Sequence, residues 1–319
     1  MKIFRIEFVI FLMLLLATLI YRLYYKEKQS FSISESEVPH IVVLGIAQDA
    51  GYPQINCKKS CCINTWDNPS LKKMVSSIGI RDPKTKKAWL IDATPDIKEQ
   101  LNLLLADDYT LEGIFLTHAH MGHYTGLMEL GREAMSADAI PIYVMPKMKN
   151  FLETNGPWSQ LVSLKNIDLK LIDDNVKIAL AGDLNINAFQ VPHRDEFSET
   201  VGYKIAGHEH SLIFIPDIDK WTKWNLDINE EIKQANYALL DGTFYRNGEI
   251  WGRDMSEIPH PFMEESMSLF KELDQKDQNK IYFIHLNHTN PMLDPESEEY
   301  KDFDKGAFHI AHQQQIFDL

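Results

Sequence analysis

The sequence is short of cysteine, of positive charge and of long apolar runs. Only 3 of its 319 residues are cysteines, too few for a disulfide framework spread across an exported domain. Lys and Arg number 32 against 46 Asp and Glu, which gives a formal net charge of -14. Because a protein surface that binds nucleic acid needs a basic patch, this charge balance argues against a nucleic acid as partner and favours a small-molecule substrate.

The main apolar run covers residues 8–21 and is short for a membrane span. Basic residues precede it, and this combination is typical of a secretory signal or an uncleaved signal-anchor; the alternative is a buried N-terminal helix. We predict that residues 1–25 direct export and make the only membrane contact, and that the polar residues 26–38 form a linker. Residues 39–319 would then fold as a single domain on the periplasmic side of the membrane, anchored or secreted.

The three cysteines all lie in the segment NCKKSCC, as Cys57, Cys61 and Cys62. Such clustering favours a structural zinc site, which normally needs four ligands. One disulfide with a spare thiol is the alternative in an oxidising compartment. The adjacent Cys61 and Cys62 do not easily face one ion, and the sequence does not identify a fourth ligand.

Short apolar runs alternate with helical patterns along the chain, which indicates an α/β fold. Three β-rich runs between residues 40 and 96 predict an opening β-meander. Helical spacing predicts helices over residues 125–135 and 221–235, and the tail from 307 to 319 resembles a final strand hairpin.

Several of the predicted strands end on a histidine or an aspartate. Polar residues at strand ends can converge at one edge of a layered sheet structure, while the strands themselves make the core. The residues placed in this way are His118, His193, Asp217, Asp241, His285 and His288.

The segment FLTHAHMGHYTGL crowds His118, His120 and His123 into six positions of a chain with 12 histidines. Directly after a strand, the first two side chains can point the same way and bind one ion. His123 would face the same ion or a second one, and His193 would complete a three-histidine site. With a carboxylate and a water, this is a catalytic metal with an open position, suited to Zn or Fe. The alternative is a set of ordinary surface or core histidines.

THAHMGH resembles the His-x-His-x-Asp-His motif of the metallo-β-lactamase superfamily, and the later ligands also follow that superfamily's order. The segments DAGYPQINCKKSCC, LIDATPDIKEQL, VPHRDEFSETVGY and FIHLNHTNP are similar to its coenzyme PQQ biosynthesis protein B (PqqB) branch, over residues 40–319. The resemblance implies a four-layer αββα sandwich with metals at one edge of two sheets. It also implies a cysteine-rich zinc clip, although the spacing Cys-x3-Cys-Cys differs from that of the branch.

The resemblance further implies a two-metal ligand set. The first position would be held by His118, His120 and His193, and the second by His123 and His285, with Asp217 bridging the two. Gly122 stands where the motif has its aspartate, so the second position lacks a carboxylate ligand. We therefore expect one tightly bound ion, Zn²⁺ or Fe²⁺, and a weak or empty second position.

Other side chains are candidates to compensate for Gly122. Asp241 is the first of them, although beside Gly242 it is equally a turn cap, and Asp195 and Glu196 follow. His288 is interpreted as a catalytic side chain, either a hydrogen-bond donor behind the metal ligands or a proton shuttle.

A bound divalent metal lowers the pKa of its water to about 7, which predicts a metal-dependent hydrolase of an ester, lactone, amide or phosphoester. Asp217 or Asp241 would orient that water or take its proton. One alternative, implied by the PqqB resemblance, is an oxidase that uses iron and O₂. A second alternative is a degenerate metal-binding protein without activity. The loop at residues 252–262 is a candidate to line the substrate pocket, or else to pack the core.

Overall fold

The structure is a computed structural model that describes residues 36–250 and 252–319, together with Met13, Leu15, Leu16 and Thr18. The chain divides into two compact units, Met1–Glu35 and Ser36–Leu319. Those four residues are helical, and the rest of the predicted export segment lies outside the described residues. Most of the predicted linker also lies outside them. No helix among the described residues has the length and apolar character needed to cross a membrane.

The unit from Ser36 to Leu319 contains two seven-stranded sheets. The first sheet has the order β14-β1-β2-β3-β4-β5-β6. Its strands are β1 (His40–Gly45), β2 (Ser77–Asp82), β3 (Lys87–Ile91), β4 (Thr110–Phe115), β5 (Ile140–Val144), β6 (Ile167–Leu171) and β14 (Ile316–Asp318).

The second sheet has the order β13-β12-β11-β10-β9-β8-β7. Its strands are β7 (Lys177–Ala179), β8 (Asn185–Gln190), β9 (Val201–Ala206), β10 (Ser211–Ile215), β11 (Tyr237–Asp241), β12 (Ile281–Ile284) and β13 (His309–Ile310).

Each sheet changes from antiparallel to parallel pairing. Strands β1, β2 and β3 pair antiparallel, which confirms the predicted opening meander, and β3 to β6 pair parallel. In the second sheet β7 to β10 are antiparallel and β10 to β13 are parallel. Because parallel neighbours need crossover connections, helices follow these strands. The helices of residues 36–319 are α1 (Ser60–Asp67), which lies between the antiparallel β1 and β2, and then α2 (Ile97–Leu104), α3 (Met121–Tyr124), α4 (Pro146–Thr154), α5 (Trp158–Ser163), α6 (Ile228–Gln234), α7 (Met263–Phe270), α8 (Gln275–Gln278) and α9 (Glu298–Phe303).

The main core lies between the two sheets. Alternating side chains such as Ile78 and Ile80 of β2 are fully buried there, in one cluster with residues of the second sheet. The Phe115 and Tyr203 rings meet edge to face at 5.7 Å, and the Tyr203 hydroxyl donates to the Leu116 carbonyl at 2.6 Å. This contact joins the carboxyl end of β4 to the opposite sheet, so the segment that follows β4 starts from a fixed point.

Helices cover the outer faces of both sheets. Leu104 of α2 packs over Gly79 of β2, where a Cβ atom would lie only 2.3 Å from the leucine side chain. On the other side, the Phe270 ring of α7 stacks on Phe283 of β12 at 6.5 Å between centroids. The result is the four-layer αββα sandwich that the family resemblance implies.

Three predicted elements differ from the structure. Residues 125–135 contain a 3₁₀ segment, Thr125–Leu130, in place of a helix, and residues 221–235 split into a 3₁₀ turn, Trp221–Lys223, and helix α6. The tail is not a hairpin, because β13 pairs with β12 in one sheet and β14 pairs with β1 in the other. The tail therefore closes both sheets, a pairing that short-range alternation does not encode.

Candidate metal centre

The predicted site residues lie just beyond the carboxyl ends of their strands. His118 follows β4, His193 follows β8, Asp217 follows β10 and His285 follows β12 directly. Because these strand ends share one edge of the sandwich, residues far apart in sequence come together there. The prediction from strand ends is therefore realised for these four positions.

One group consists of His118, His120, His193 and Asp217, whose ligand atoms all lie within 4.8 Å of one another. His118 Nε2 is 2.9 Å from His120 Nδ1, and His193 Nε2 is 3.3 Å from the same atom. The Asp217 carboxylate lies 3.3 Å from His118 Nε2 and 3.2 Å from His193 Nε2. The first ligand set implied by the sequence is thus assembled around one point.

Neutral imidazole is the form that binds a metal. Burial, with the neighbouring His123, holds the pKa of His118 well below its ordinary value. Burial likewise lowers the pKa of His193 to about 4. Both rings are therefore neutral and available as ligands near neutral pH.

A second group contains His123 and His285 with Asp49, a residue that the sequence analysis missed. Asp49 Oδ1 is 3.3 Å from His123 Nε2 and 3.7 Å from His285 Nε2. Asp217 Oδ2 lies 3.9 Å and 4.0 Å from the same two nitrogens. Asp217 therefore stands between the two groups, as the resemblance implies.

Buried polar atoms without a hydrogen-bond partner test whether these residues fit a metal. Among the described residues, the atoms in this condition include Asp49 Oδ1, His123 Nε2, His193 Nδ1, Asp217 Oδ1 and His285 Nε2. Burial of such atoms is unfavourable unless something binds them. Four of the five are ligand atoms of the two groups, and imidazole with carboxylate is a donor set that divalent transition metals favour. The residues fit the metal that the family implies.

Three of the ligand rings are held from behind through their other nitrogen. His123 Nδ1 lies 2.7 Å from Asp92 Oδ2, His118 Nδ1 lies 3.0 Å from the Thr117 hydroxyl and His285 Nδ1 lies 2.9 Å from the Thr243 hydroxyl. Partners of this kind orient metal-ligating histidines. Asp92 lies in the LIDATPD segment, whose role the sequence analysis did not assign.

A separate cluster brings Cys57, Cys61 and Cys62 together with His288, again within 4.8 Å. The Sγ atoms of Cys57 and Cys61, and those of Cys61 and Cys62, are 3.9 Å apart, and all three cysteines are free. Thiolates around a tetrahedral zinc at about 2.3 Å stand about 3.8 Å apart, so this spacing matches. Helix α1 begins at Ser60 and carries both adjacent cysteines toward the same point.

This cluster bears on two sequence interpretations. His288, interpreted from the sequence as a catalytic side chain, lies with the cysteines and is a candidate for the fourth ligand that the sequence does not identify. The adjacent Cys61 and Cys62 do face one point, against the expectation. His288 sits in a loop after β12, too far along the chain for spacing to associate it with the cysteines.

A sequence model described as "Beta-lactamase superfamily domain" matches residues 88–286, more than half of the chain. The chain belongs to the metallo-β-lactamase superfamily. Within it, the curated "Coenzyme PQQ synthesis protein B" of Methylorubrum extorquens (strain PA1) is 24% identical over 308 residues, covering 88% of this chain and all of the relative. The corresponding protein of Xanthomonas campestris pv. campestris (strain B100) is 23% identical over 299 residues, covering 85% and 97%. The predicted superfamily and PqqB-like branch are confirmed.

Solved structures show the same fold. Zn(2+)-bound PqqB from Methylobacterium extorquens superposes with a TM-score of 0.71 at 22% identity, over 88% of this chain and 100% of that one. A diphosphatase from the PhnP family superposes with a TM-score of 0.65 at 20% identity, over 88% and 97%. This chain therefore shares the metallo-β-lactamase sandwich with both PqqB and the PhnP-family diphosphatase.

In this superfamily member Asp241 lies outside the first two ligand groups. Its carboxylate accepts hydrogen bonds from the Ile218 and Thr243 backbone N–H groups and from the Thr243 hydroxyl. Its Oδ2 atom also lies 2.9 Å from His260 Nδ1. Asp241 therefore holds other side chains in place and has no oxygen free to replace the missing motif aspartate.

His260 is the second residue that the sequence analysis missed as a functional group. It is buried and lies 3.2 Å from Asp217 Oδ1, forming a third group with Asp217 and His285. Burial disfavours its charged form, but the carboxylates of Asp241 and Asp217 outweigh this and raise its pKa to about 9. It lies in the loop at residues 252–262, where no strand end marks it.

The other carboxylates considered from the sequence lie at the margin. Glu196 Oε2 is 3.1 Å from His120 Nε2, on the side of that ring away from the ligand group, and the Glu196 side chain is 47% exposed. Asp195 accepts a hydrogen bond from the Thr200 hydroxyl. Neither belongs to a ligand group among the described residues.

Proposed function

We propose that this protein is a metal-dependent hydrolase of a small molecule with an ester, lactone, amide or phosphoester bond. One observation carries the proposal: the ligand atoms of His118, His120, His193 and Asp217 converge within 4.8 Å at the edge of the sandwich. A divalent ion held there, Zn²⁺ or Fe²⁺, supplies a nucleophile from water at neutral pH and polarises the bond to be cleaved. The resemblance in fold to a PhnP-family diphosphatase supports the inclusion of phosphoesters.

Residues of the protein around the ion would orient the ligands and transfer protons. The two carboxylate oxygens of Asp217 face different histidines. Oδ1 lies 3.2 Å from His193 Nε2, and Oδ2 lies 3.3 Å from His118 Nε2. Next to it, His260 Nδ1 is held by Asp241, which fixes the orientation of this ring beside the ligands. A proton-carrying imidazole at this place is suited to give its proton to a leaving group.

The test is hydrolysis under anaerobic conditions by the full-length, zinc-loaded protein against panels of chromogenic phosphodiesters, diphosphates, esters and lactones. We expect turnover of at least one class, and its loss in His118→Ala. The control is His208→Ala, since the His208 side chain is 80% exposed. Consumption of O₂ by the iron-loaded protein, with no hydrolysis in any panel, would instead identify the oxidase alternative. A metal-free protein without either activity would identify the non-enzymatic one.

The cysteine cluster would hold a structural zinc, with Cys57, Cys61, Cys62 and His288 as its four ligands. The matching sulfur spacing and the absence of a disulfide among these three cysteines support this assignment. Structural zinc sites are closed and contribute folding free energy directly.

We further propose that residues 1–25 direct export and place the enzyme on the periplasmic side of the membrane, anchored or secreted. The basic N-terminus and the apolar run support this location. A reporter enzyme that is active only outside the cytoplasm, fused after residue 40, should be active. An inactive reporter at normal expression would exclude export.

A further inference from the structure

Gly122 occupies the position of the motif aspartate, and the structure shows what fills the vacated space. An ideal Cβ atom on Gly122 would lie 2.4 Å from Asp49 Oδ1, 2.5 Å from Asp49 Cα and 3.0 Å from Asp49 Cβ. No real Cβ atom tolerates such contacts, two of which involve atoms that a side-chain rotation does not remove. Any residue larger than glycine at position 122 would therefore displace the Asp49 segment.

The Asp49 carboxylate faces the second ligand group. Its Oδ1 atom lies 3.3 Å from His123 Nε2 and 3.7 Å from His285 Nε2. All three atoms are buried and lack a hydrogen-bond partner among the described residues. Three converging ligand atoms that nothing else satisfies are the arrangement expected around a bound cation.

We propose that Asp49 replaces the missing motif aspartate, so that Asp49, His123 and His285, with Asp217, hold a second metal ion. The carboxylate is not lost from this site but comes from another part of the chain, and the glycine at position 122 makes room for it. The inference rests on the proposed function in requiring a metal at this edge of the sandwich, and it changes the expected count from one ion to two. Two-metal centres bind their ions about 3.5–4 Å apart and need carboxylates to balance the charge.

The backbone around Asp49 is fixed in the way a ligand requires. The Gln48 N–H group donates to the Leu286 carbonyl at 2.9 Å, which ties this segment to the residue after His285. Gly51 then turns the chain with a φ of +71° and donates to the Gln48 carbonyl at 2.8 Å. Asp49 lies between these bonds, which hold its backbone beside the residue that follows His285.

The experiment measures metal bound per chain by elemental analysis after exhaustive dialysis of the full-length, zinc-loaded protein. Asp49→Asn preserves shape but removes the anionic ligand, so we expect it to lose about one equivalent relative to wild type. The control is Glu257→Gln, which alters an exposed carboxylate outside the ligand groups and should leave the metal count unchanged. Equal metal content in Asp49→Asn and wild type would overturn the inference.

A substitution at Gly122 provides the stricter test, because it leaves every ligand in place. Gly122→Ala should displace the Asp49 segment and lose about the same equivalent as Asp49→Asn, whereas Gly156→Ala, whose Cβ atom would meet nothing within 4 Å, should keep the wild-type metal content. Thermal melting of each variant shows whether it is folded, and the absorption spectrum of the cobalt-substituted proteins reports the second position separately from the cysteine cluster. A folded Gly122→Ala variant with the wild-type metal content contradicts the inference. These readouts do not depend on activity: wild-type protein with two ions at this edge, besides the zinc at the cysteine cluster, and no hydrolysis would refute the proposed function only.

Discussion

His123 Nδ1 lies 2.7 Å from Asp92 Oδ2, and both side chains are completely buried. Asp92 also accepts a hydrogen bond from the Thr117 N–H group at 2.8 Å, so one carboxylate joins the end of β3 to the histidine segment after β4. This arrangement leaves Nε2 as the nitrogen that His123 directs toward Asp49. The orientation of a ligand is thus determined by a residue that contacts no metal position.

Asp92→Asn should weaken metal binding about 10- to 100-fold, because an amide no longer supports His123 as a carboxylate does. The amide oxygen can still accept from Thr117, so the fold should be retained. Competition with a chelator measures the affinity. Asp82→Asn is the control, since Asp82 is also buried but caps a turn between β2 and β3 through Thr85. Equal affinities in the two variants would show that Asp92 has no role at the metal.

His260→Ala and His193→Ala should separate catalysis from metal retention. His260 Nδ1 is held by Asp241, so we expect the alanine variant to keep its metal and lose about 100-fold in kcat. His193→Ala should lose metal and activity together. Elemental analysis alongside steady-state kinetics distinguishes them. Loss of metal from His260→Ala would instead make His260 a ligand in its own right.

The cysteine cluster predicts that the native, metal-loaded protein has no freely reactive thiol until a chelator is added. Cys57→Ser and His288→Ala should each release zinc and lower the melting temperature, because a structural zinc contributes directly to folding. Ser60→Ala, at the exposed start of α1, is the matched control. Thiol titration gives the count, and three reactive thiols in the untreated protein would rule out both a zinc site and a disulfide.

Glu249→Gln should change the pH dependence of stability. Burial raises the pKa of Glu249 to about 7 from 4.5, so the folded state favours the protonated acid. The stability that this provides is fully present below about pH 4.5 and is lost as the pH rises through 7. The glutamine variant should therefore match wild type near pH 5 and exceed it at pH 8, by on the order of 1–2 kcal/mol since the side chain keeps some solvent contact. Denaturant unfolding at both pH values, with exposed Glu257→Gln as control, measures this, and a variant no more stable at pH 8 would contradict it.

The parts of the site that the sequence predicts are those that follow strands. His118, His193, Asp217 and His285 come after apolar runs whose ends meet at one edge of the sandwich, so a local pattern implies a spatial one. Asp49 and His260 lie in loops, where no periodicity marks the direction of a side chain. A Cβ atom at Gly122 would clash with Asp49, so the glycine makes room for this residue. The two positions are 73 residues apart, and only the three-dimensional structure shows that they are in contact.

The errors in secondary structure have a similar physical origin. The tail resembles a hairpin in sequence, yet β13 pairs with the preceding strand β12 in one sheet and β14 pairs with β1, the first strand of the unit, in the other. Residues 125–135 have a helical pattern, but Gly126 must approach the Thr94 carbonyl closely, and a 3₁₀ segment results. In both cases tertiary contacts outweigh local preference.

The same two chain segments serve both clusters: one carries Asp49 and Cys57, and the other carries His285 and His288. Ordering of these segments by an ion at the cysteines would also order them for an ion at the edge of the sandwich. Such linkage is reciprocal, so each ion would raise the affinity for the other by the same factor. Loading of the protein with metal would then be cooperative, and oxidation of the thiols would lower the metal affinity of the distant edge without altering any of its ligands.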